Sequence, residues 1–398
     1  MPFYYSIRRM PKGMRARTLA GLTRLRHQLD AEMPRRTRTK TLVLGSWNIR
    51  NFDDNRFKAG YRTAEDMFYI AEIISRFDVV AVQEICDDLG PLRKVMSLLG
   101  PDYRYVVTDI TEGRGGNGER LGYIYDRSKA RFTGVAGELV LPDDLQIIDG
   151  TRKRQFSRTP FMCSFQSGWF KFLFSTVHIY FGADSGAKYE RRVNEIKSVA
   201  KFLKSRAKRD AKKRGAAQNH ILVGDFNIKK PGSPGFNALE EQGFAVFENK
   251  KGSNKDQTKF YDQISFLVNP GELTFGDSGR EKGVLQFFDS VYRAEDFETY
   301  RAELDKTMAA KVRAAKSAVK RSETRLAKAT TAARTEKAQE KLAKDRATLA
   351  ETEALRADDV QLRDYYEAEW RTFRVSDHLP LWVEVEIDFS ENYLTTLS

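Results

Sequence analysis

From Thr41 onward short apolar runs alternate with stretches patterned for helix. Leu42-Val43-Leu44 is a continuous apolar run of the kind a buried strand carries. Further strands are predicted at 79–83, 104–108, 121–125, 161–166, 171–178, 221–224, 263–268 and 381–387. Helical patterns fall at 63–76, 89–99 and 188–214. Gly- and Pro-bearing turns divide them, at Glu112–Gly118 and Lys230–Gly235. Many strands with several helices between them predict an α/β architecture.

Two segments break this rhythm. Residues 1–40 are Arg-rich and poorly apolar, and read as a basic N-terminal arm, loosely structured or helical over 14–31. Residues 284–379 hold neither Gly nor Pro, and about 300–368 is built from Ala, Lys, Glu, Arg and Leu, all strong helix formers. One unbroken helix there would be about 100 Å long at ~1.5 Å per residue. The apolar series Met308, Val312, Ala315, Val319, Leu326 is broken at Glu336 and resumes in another register at Leu342 and Leu349. A bend at Lys328–Arg334 therefore predicts an antiparallel helical hairpin or coiled coil, inserted at about 295–370 into a domain that runs from 41 to 398.

Charge changes the picture. The 398-residue chain carries +13, but residues 1–40 carry +9, residues 201–214 carry +7 and residues 301–360 carry +5. Those three segments total +21, so the remainder carries −8. An acidic centre with basic appendages suits a metal-binding site delivered to a polyanion. No window approaches 18 apolar residues, so no membrane-spanning helix and no membrane partner are expected. The N-terminus lacks the apolar core of a secretory signal. With Cys86 and Cys163 the only cysteines, a disulfide-framed fold is excluded and a reducing cytoplasm is the expected compartment.

The candidate chemistry lies in five islands: Trp47–Phe52, Gln83-Glu84, His178, Gly224-Asp225-Phe226-Asn227 and Ser376–Pro380. In three of them an apolar strand ends, or a turn begins, at a carboxylate, Asn or His. Such groups point into the crevice where α/β sheets bind ligands. Asp, Glu and Asn oxygens suit a hard cation such as Mg²⁺. No CxxC or HExxH pattern supports zinc. Taken singly each island is ordinary; their joint occurrence in one order carries the argument.

That order resembles the endonuclease/exonuclease/phosphatase superfamily, the deoxyribonuclease-I-like fold. The likeness runs from about Thr41 to Phe389 through WN-x-x-N, Gln83-Glu84, GDFN at 224–227, Tyr261-Asp262-Gln263-Ile264 and SDHLPLWVEVEI. It implies a four-layer sandwich of two packed mixed β-sheets flanked by helices, and metal-dependent phosphoester hydrolysis. By resemblance Asn48 and Glu84 hold the metal, Asp377 is a further metal- or phosphate-side carboxylate, and Asp225 and Asn227 hold the attacking water and scissile phosphate. His378 is the acid/base histidine oriented by Asp262. His178 matches the second histidine of the nuclease branch, with Glu119 its carboxylate and Arg158 the phosphate-contacting arginine. The expected metal is Mg²⁺, with Mn²⁺ or Ca²⁺ as substitutes. Asp225 and the histidines remain rival candidates for the general base.

These features predict an endonuclease on DNA with little sequence preference, because the basic segments favour backbone contacts and no base-reading motif is present. The alternative is a phosphatase or phosphodiesterase on a small-molecule or lipid phosphoester, since the core motifs are shared. A non-enzymatic scaffold fits the intact residue set poorly. The helical insertion is expected to dimerise the protein, clamp duplex DNA or serve as a spacer.

Overall fold

The structure, a computed structural model, describes residues 2–111, 117–212, 219–268 and 273–395. The expected turn at Glu112–Gly118 falls largely outside them, as do Lys213 and Arg214 of the basic run. The chain divides into two compact units, one of residues 1–53, 63–291 and 375–398, the other of 54–62 and 292–374.

The first unit holds two six-stranded sheets among the described residues. Its strands are β1 (Thr41–Phe52), β2 (Val79–Ile85), β3 (Tyr103–Val107), β4 (Arg120–Asp126), β5 (Arg131–Glu138), β6 (Ile147–Asp149), β7 (Arg152–Arg154), β8 (Phe161–Ser167), β9 (Phe170–His178), β10 (Asn219–Asp225), β11 (Ala245–Val246), β12 (Asp262–Leu267), β13 (Lys282–Val284) and β14 (Leu381–Glu386). One sheet runs β13-β14-β1-β2-β4-β3, the other β11-β12-β10-β9-β8-β5, and β6 and β7 form a small ribbon. Both large sheets are mixed: β1 is parallel to β2 but antiparallel to β14, and β10 is parallel to β9 but antiparallel to β12. The sequence pattern missed β5, β6, β7, β11 and β13. The last four are two or three residues long, and β5 exposes most of its positions, so none carries an apolar run.

Side-chain alternation assigns the faces. Leu121, Tyr123 and Tyr125 of the first sheet pack with Phe161, Phe165, Phe170, Phe172 and Phe174 of the second. Leu173 and Val177, at alternate positions of β9, turn the other way. There they meet α4 (Gly186–Asp210), through Ile196, Val199 and Leu203, and α5 (Pro234–Glu240), through Phe236 and Leu239. The Tyr123 hydroxyl, buried between the sheets, donates toward the carbonyls of Phe161 and Phe174, each at 2.7 Å, so its polar atom is satisfied.

The basic N-terminus is the helical alternative, and it is packed. In α1 (Lys12–Glu32), Leu25 and Leu29 are fully buried. The helix rests on α2 (Ala64–Ile74), which is followed by α3 (Gly90–Leu99). Gly21 permits this approach, because a Cβ there would collide with the Tyr69 ring. Arg17 pairs with the fully buried Glu65 at 2.7 Å. Part of the arm's positive charge is therefore structural.

The second unit is an antiparallel hairpin of α6 (Phe297–Ala327) and α7 (Ala332–Ala357), with α8 (Asp359–Ala368) returning along its base. Cross-pairs Arg346–Glu323 and Lys316–Glu353 run in opposite directions along the two helices, and Arg301 of α6 pairs with Asp359 at the start of α8. Leu304, Met308, Val312, Ala338 and Leu342 are buried. Tyr292, Tyr300, Tyr366 and Trp370 form an aromatic cluster with centroids 4.5–6.3 Å apart. Arg374 stacks on Trp370 and donates to the carbonyls of Ala59, Gly60 and Tyr61, which brings residues 54–62 into this unit. A helix-only reading of the insertion has no means of seeing that loop.

Phe165, fully buried among Tyr123, Tyr125, Phe132 and Phe172, tests the inter-sheet core. Phe165→Ala is expected to cost about 3–5 kcal/mol, read as a lower midpoint in urea unfolding.

Candidate active site

Strand register builds the site. In the second sheet Asp225 ends β10, directly beside His178 at the end of β9 and opposite Asp262 at the start of β12. His378 lies just before β14, which runs antiparallel to β1, so it falls at the end of β1 near Asn48. Glu84 comes from the end of β2, parallel to β1. Gly224 permits the closest part of this arrangement. Its φ is 128°, and a Cβ there would strike the Val177 backbone.

Two histidine–carboxylate dyads face one aspartate. His378 Nδ1 lies 2.8 Å from Asp262 Oδ2, and its Nε2 lies 3.7 Å from Asp225 Oδ2. His178 Nδ1 lies 2.9 Å from Glu119 Oε2, and its Nε2 lies 3.5 Å from the same Asp225 oxygen. The carboxylate on the far nitrogen fixes each ring's orientation and favours the imidazolium. Burial opposes the charge on His378, but Asp262, Asp225 and Asp377 outweigh it and hold its pKa well above the ordinary value. Burial and the Arg158 charge oppose the imidazolium of His178, yet Glu119 and Asp225 raise its pKa too. Burial pushes Glu119 up, but His178 and Arg158 bring its pKa down to about 2. Arg158 is itself buried, with Nε 2.9 Å from Glu119 Oε2.

The amide–acid pair lies on the other side of Asp225. Asn48 Nδ2 donates to Glu84 Oε1 at 2.9 Å and to Asp225 Oδ2 at 3.2 Å, bridging the two sheets. The Asn51 backbone amide donates to the second Glu84 oxygen at 2.8 Å. Asn48 Oδ1 is buried with no hydrogen-bond partner. An unpaired amide oxygen beside a carboxylate is an all-oxygen donor set that fits a hard divalent cation, with Asn48 and Glu84 the residues to hold it. Asp225, Asp262 and His378 also bring ligand atoms within 4.8 Å of one another. Because Nδ1 of His378 is already engaged by Asp262, that trio is better described as a dyad facing a carboxylate. Glu84, Asn51 and Asn227 have φ of 60°, 47° and 53°, a conformation costing on the order of 1 kcal/mol each and concentrated at functional sites.

Asn227 is anchored twice: its backbone N–H donates to Asp225 Oδ1 at 2.9 Å and its side-chain amide to the Ile179 carbonyl at 2.9 Å. Asp377 has a partly exposed carboxylate that faces Arg50 at 3.6 Å and adds its charge to those favouring the His378 imidazolium.

Sequence reasoning missed the supports. Trp47 Nε1 donates to the His378 carbonyl at 2.9 Å. Ser376 Oγ donates to the Asn48 carbonyl at 2.7 Å and accepts from the His378 amide at 3.0 Å, joining two islands 328 residues apart. Ser253 Oγ donates to Asp262 Oδ2 at 2.7 Å. On α4, Arg192 is buried and donates to the Asn227 carbonyl at 2.6 Å. Glu195 is fully buried, which pushes its pKa up to about 7, and accepts from the Tyr180 amide at 3.4 Å. Trp47 and Ser376 lay inside the islands. Arg192 and Glu195 lay in a basic amphipathic helix, where charge reads as solvated surface.

The profile of the Endonuclease/Exonuclease/phosphatase family matches residues 45–285. A deoxyribonuclease of Thioalkalivibrio sp. (strain K90mix) is 28% identical over 192 residues, 47% of this chain. The match spans only 46% of that relative, less than half its length. A solved endonuclease/exonuclease/phosphatase family protein from Bacteroides thetaiotaomicron, 17% identical, covers 87% of this chain and 98% of its own, with a TM-score of 0.50. A mannosyl-6-phosphatase from the same organism is 20% identical and covers 62% of this chain and 90% of its own, with a TM-score of 0.46.

Asp262→Asn removes the largest upward influence on the His378 charge, so the His378 titration followed by NMR is expected to move to lower pH. The sign for stability follows from the raised value. The dyad's contribution is complete below the unfolded histidine pKa of about 6.5 and is lost as pH rises through the folded one. The variant is therefore expected to lose its stability difference from the native protein at alkaline pH.

Proposed function

The chain belongs to the endonuclease/exonuclease/phosphatase family, and on that premise we propose that it is a divalent-metal-dependent phosphodiester hydrolase, an endonuclease on DNA with little sequence preference. One observation carries the reading: two histidine–carboxylate dyads aim their free nitrogens at the same Asp225 oxygen, at 3.5 and 3.7 Å. A phosphodiester resists attack because it is anionic, so its hydrolysis needs a positioned water, offset of the charge that builds on phosphorus oxygens, and an acid for the leaving oxygen.

In this reading Asp225, held by Asn48 and the Asn227 amide, takes the proton of the attacking water. His378 remains the imidazolium that Asp262 sustains and faces the developing negative charge. His178 serves the leaving oxygen, with Arg158 beside it as a fixed positive group. Asn48 and Glu84 would hold a divalent cation, which would supply further charge neutralisation at the phosphate. Mg²⁺ is the proposed metal.

A polymeric substrate is favoured over a small ester by the basic surface and by the sequence likeness to a deoxyribonuclease. On the outer face of α4, Lys201, Lys208 and Arg209 are exposed, suited to phosphate contacts that read no bases. No helix among the described residues is long and apolar enough to cross a membrane.

Supercoiled plasmid is expected to be nicked with Mg²⁺ and spared with chelator. Asp225→Ala and His378→Ala are expected to lose at least about 10²-fold in rate while keeping the native circular dichroism. Glu84→Gln is expected to raise the Mg²⁺ concentration needed for half-maximal nicking. A folded wild type that spares plasmid but hydrolyses an inositol phosphate or sphingomyelin would move the assignment to a small phosphoester.

A further inference from the structure

The hairpin changes character along its length. Its shaft is braced by ion pairs between the helices, Lys316–Glu353 at 2.9 Å and Arg346–Glu323 at 2.9 Å, and at its base Arg301 pairs with Asp359 of α8. At the tip the pairing stops. Arg321, Arg325 and Lys328 at the end of α6, with Arg334 and Lys337 at the start of α7, line one concave cavity of about 530 Å³ that has no carboxylate in its wall. All five are exposed. Arg325, Lys328, Arg334 and Lys337 have no ion-pair partner among the described residues; Arg321 is influenced by Asp345, which already binds Lys341 and Ser322.

This arrangement works against the hairpin's own stability. Arg321 and Arg325 are four residues apart on one helix face, and Arg334 and Lys337 three apart on the other, spacings at which like charges repel. The first turn of α7 holds no acidic residue, and Arg334 occupies a position where the helix dipole favours a negative group. The same hairpin places opposite charges across from each other along its shaft, so helix formation does not require a bare cationic tip. A bound polyanion relieves this repulsion. None of the large apolar side chains exposed in this unit, Phe57, Tyr61 and Val360, lies at the tip, which lacks the apolar residues that anchor a surface in lipid.

We propose that the hairpin tip is a second nucleic-acid contact, a cationic cradle that grips the phosphate backbone without reading bases. This rests on the nuclease reading above and adds to it an anchoring surface outside the catalytic residues.

The test combines Arg325→Gln, Lys328→Gln, Arg334→Gln and Lys337→Gln in the full-length protein, since Gln keeps the helix propensity while removing the charge. A shaft control carries Lys316→Gln and Arg346→Gln. Binding of a 20-base-pair duplex is measured against salt, alongside hydrolysis of bis(p-nitrophenyl) phosphate and plasmid nicking. The tip variant is expected to bind more weakly, with a salt slope reduced by about three to four, because each phosphate contact contributes about 0.9. Its hydrolysis of the small diester is expected to stay at the wild-type level, and the shaft control to keep the wild-type slope. A tip variant with unchanged affinity and slope, while the wild type nicks DNA, overturns the cradle and leaves the nuclease reading standing. Loss of binding to phosphatidylserine vesicles with duplex binding intact overturns it in favour of a membrane contact. A wild type that cleaves the small diester but neither binds nor nicks nucleic acid overturns the nuclease reading, and the cradle with it.

Discussion

Everything at this site depends on the negative charge of Asp225 being shared. Its Oδ2 atom is faced by the Asn48 amide and by both imidazoles, and its Oδ1 accepts from the Asn227 backbone. A carboxylate so deeply buried is costly unless it is paired and hydrogen-bonded. The pairing that makes the buried carboxylate tolerable also gathers two imidazoles and an amide around one oxygen. Stability and chemistry thus rest on the same contacts.

Those contacts follow from the packing of two mixed sheets. Parallel β9 and β10 end together and deliver His178 and Asp225 side by side, while antiparallel β12 starts opposite and delivers Asp262. The first sheet contributes Asn48 and Glu84 on the same terms, and the face-to-face core of Tyr123 and the Phe161–Phe174 aromatics holds the two edges in register. Support comes from further out. Arg192 and Glu195 reach from α4 to the backbone at Asn227 and Tyr180, so a helix whose outer face is basic has an inner face committed to the site.

The second unit obeys different rules. Among the described residues it contains no strand, and it is held by an apolar seam, a cluster of aromatic rings at its base and cross-helix ion pairs. Exposed pairs of that sort are worth at most about 1 kcal/mol each, so the seam and the ring cluster supply most of the stability. This leaves the charge pattern of the tip free to vary without unfolding the hairpin.

The sequence by itself determined the element order and the strands that carry an apolar run, because alternation and length are local properties. Composition was enough to announce the helices of the insertion, and the break in the apolar series before Leu342 was enough to place a bend within Lys328–Arg334. The Glu84, Asp225 and His378 islands could be singled out because each borders an apolar strand, whereas Asn48 and Asp262 took their assignment from the family resemblance. Only tertiary structure decided that Ser376 ties the Asn48 backbone to His378, that Asp377 turns toward Arg50, that residues 54–62 join the helical unit, and that Leu25 and Leu29 pack a segment whose composition reads as a loose arm. Those outcomes depend on which groups meet across hundreds of residues. Hydrogen-bond geometry and burial select such meetings in space, and a one-dimensional pattern carries no record of distance.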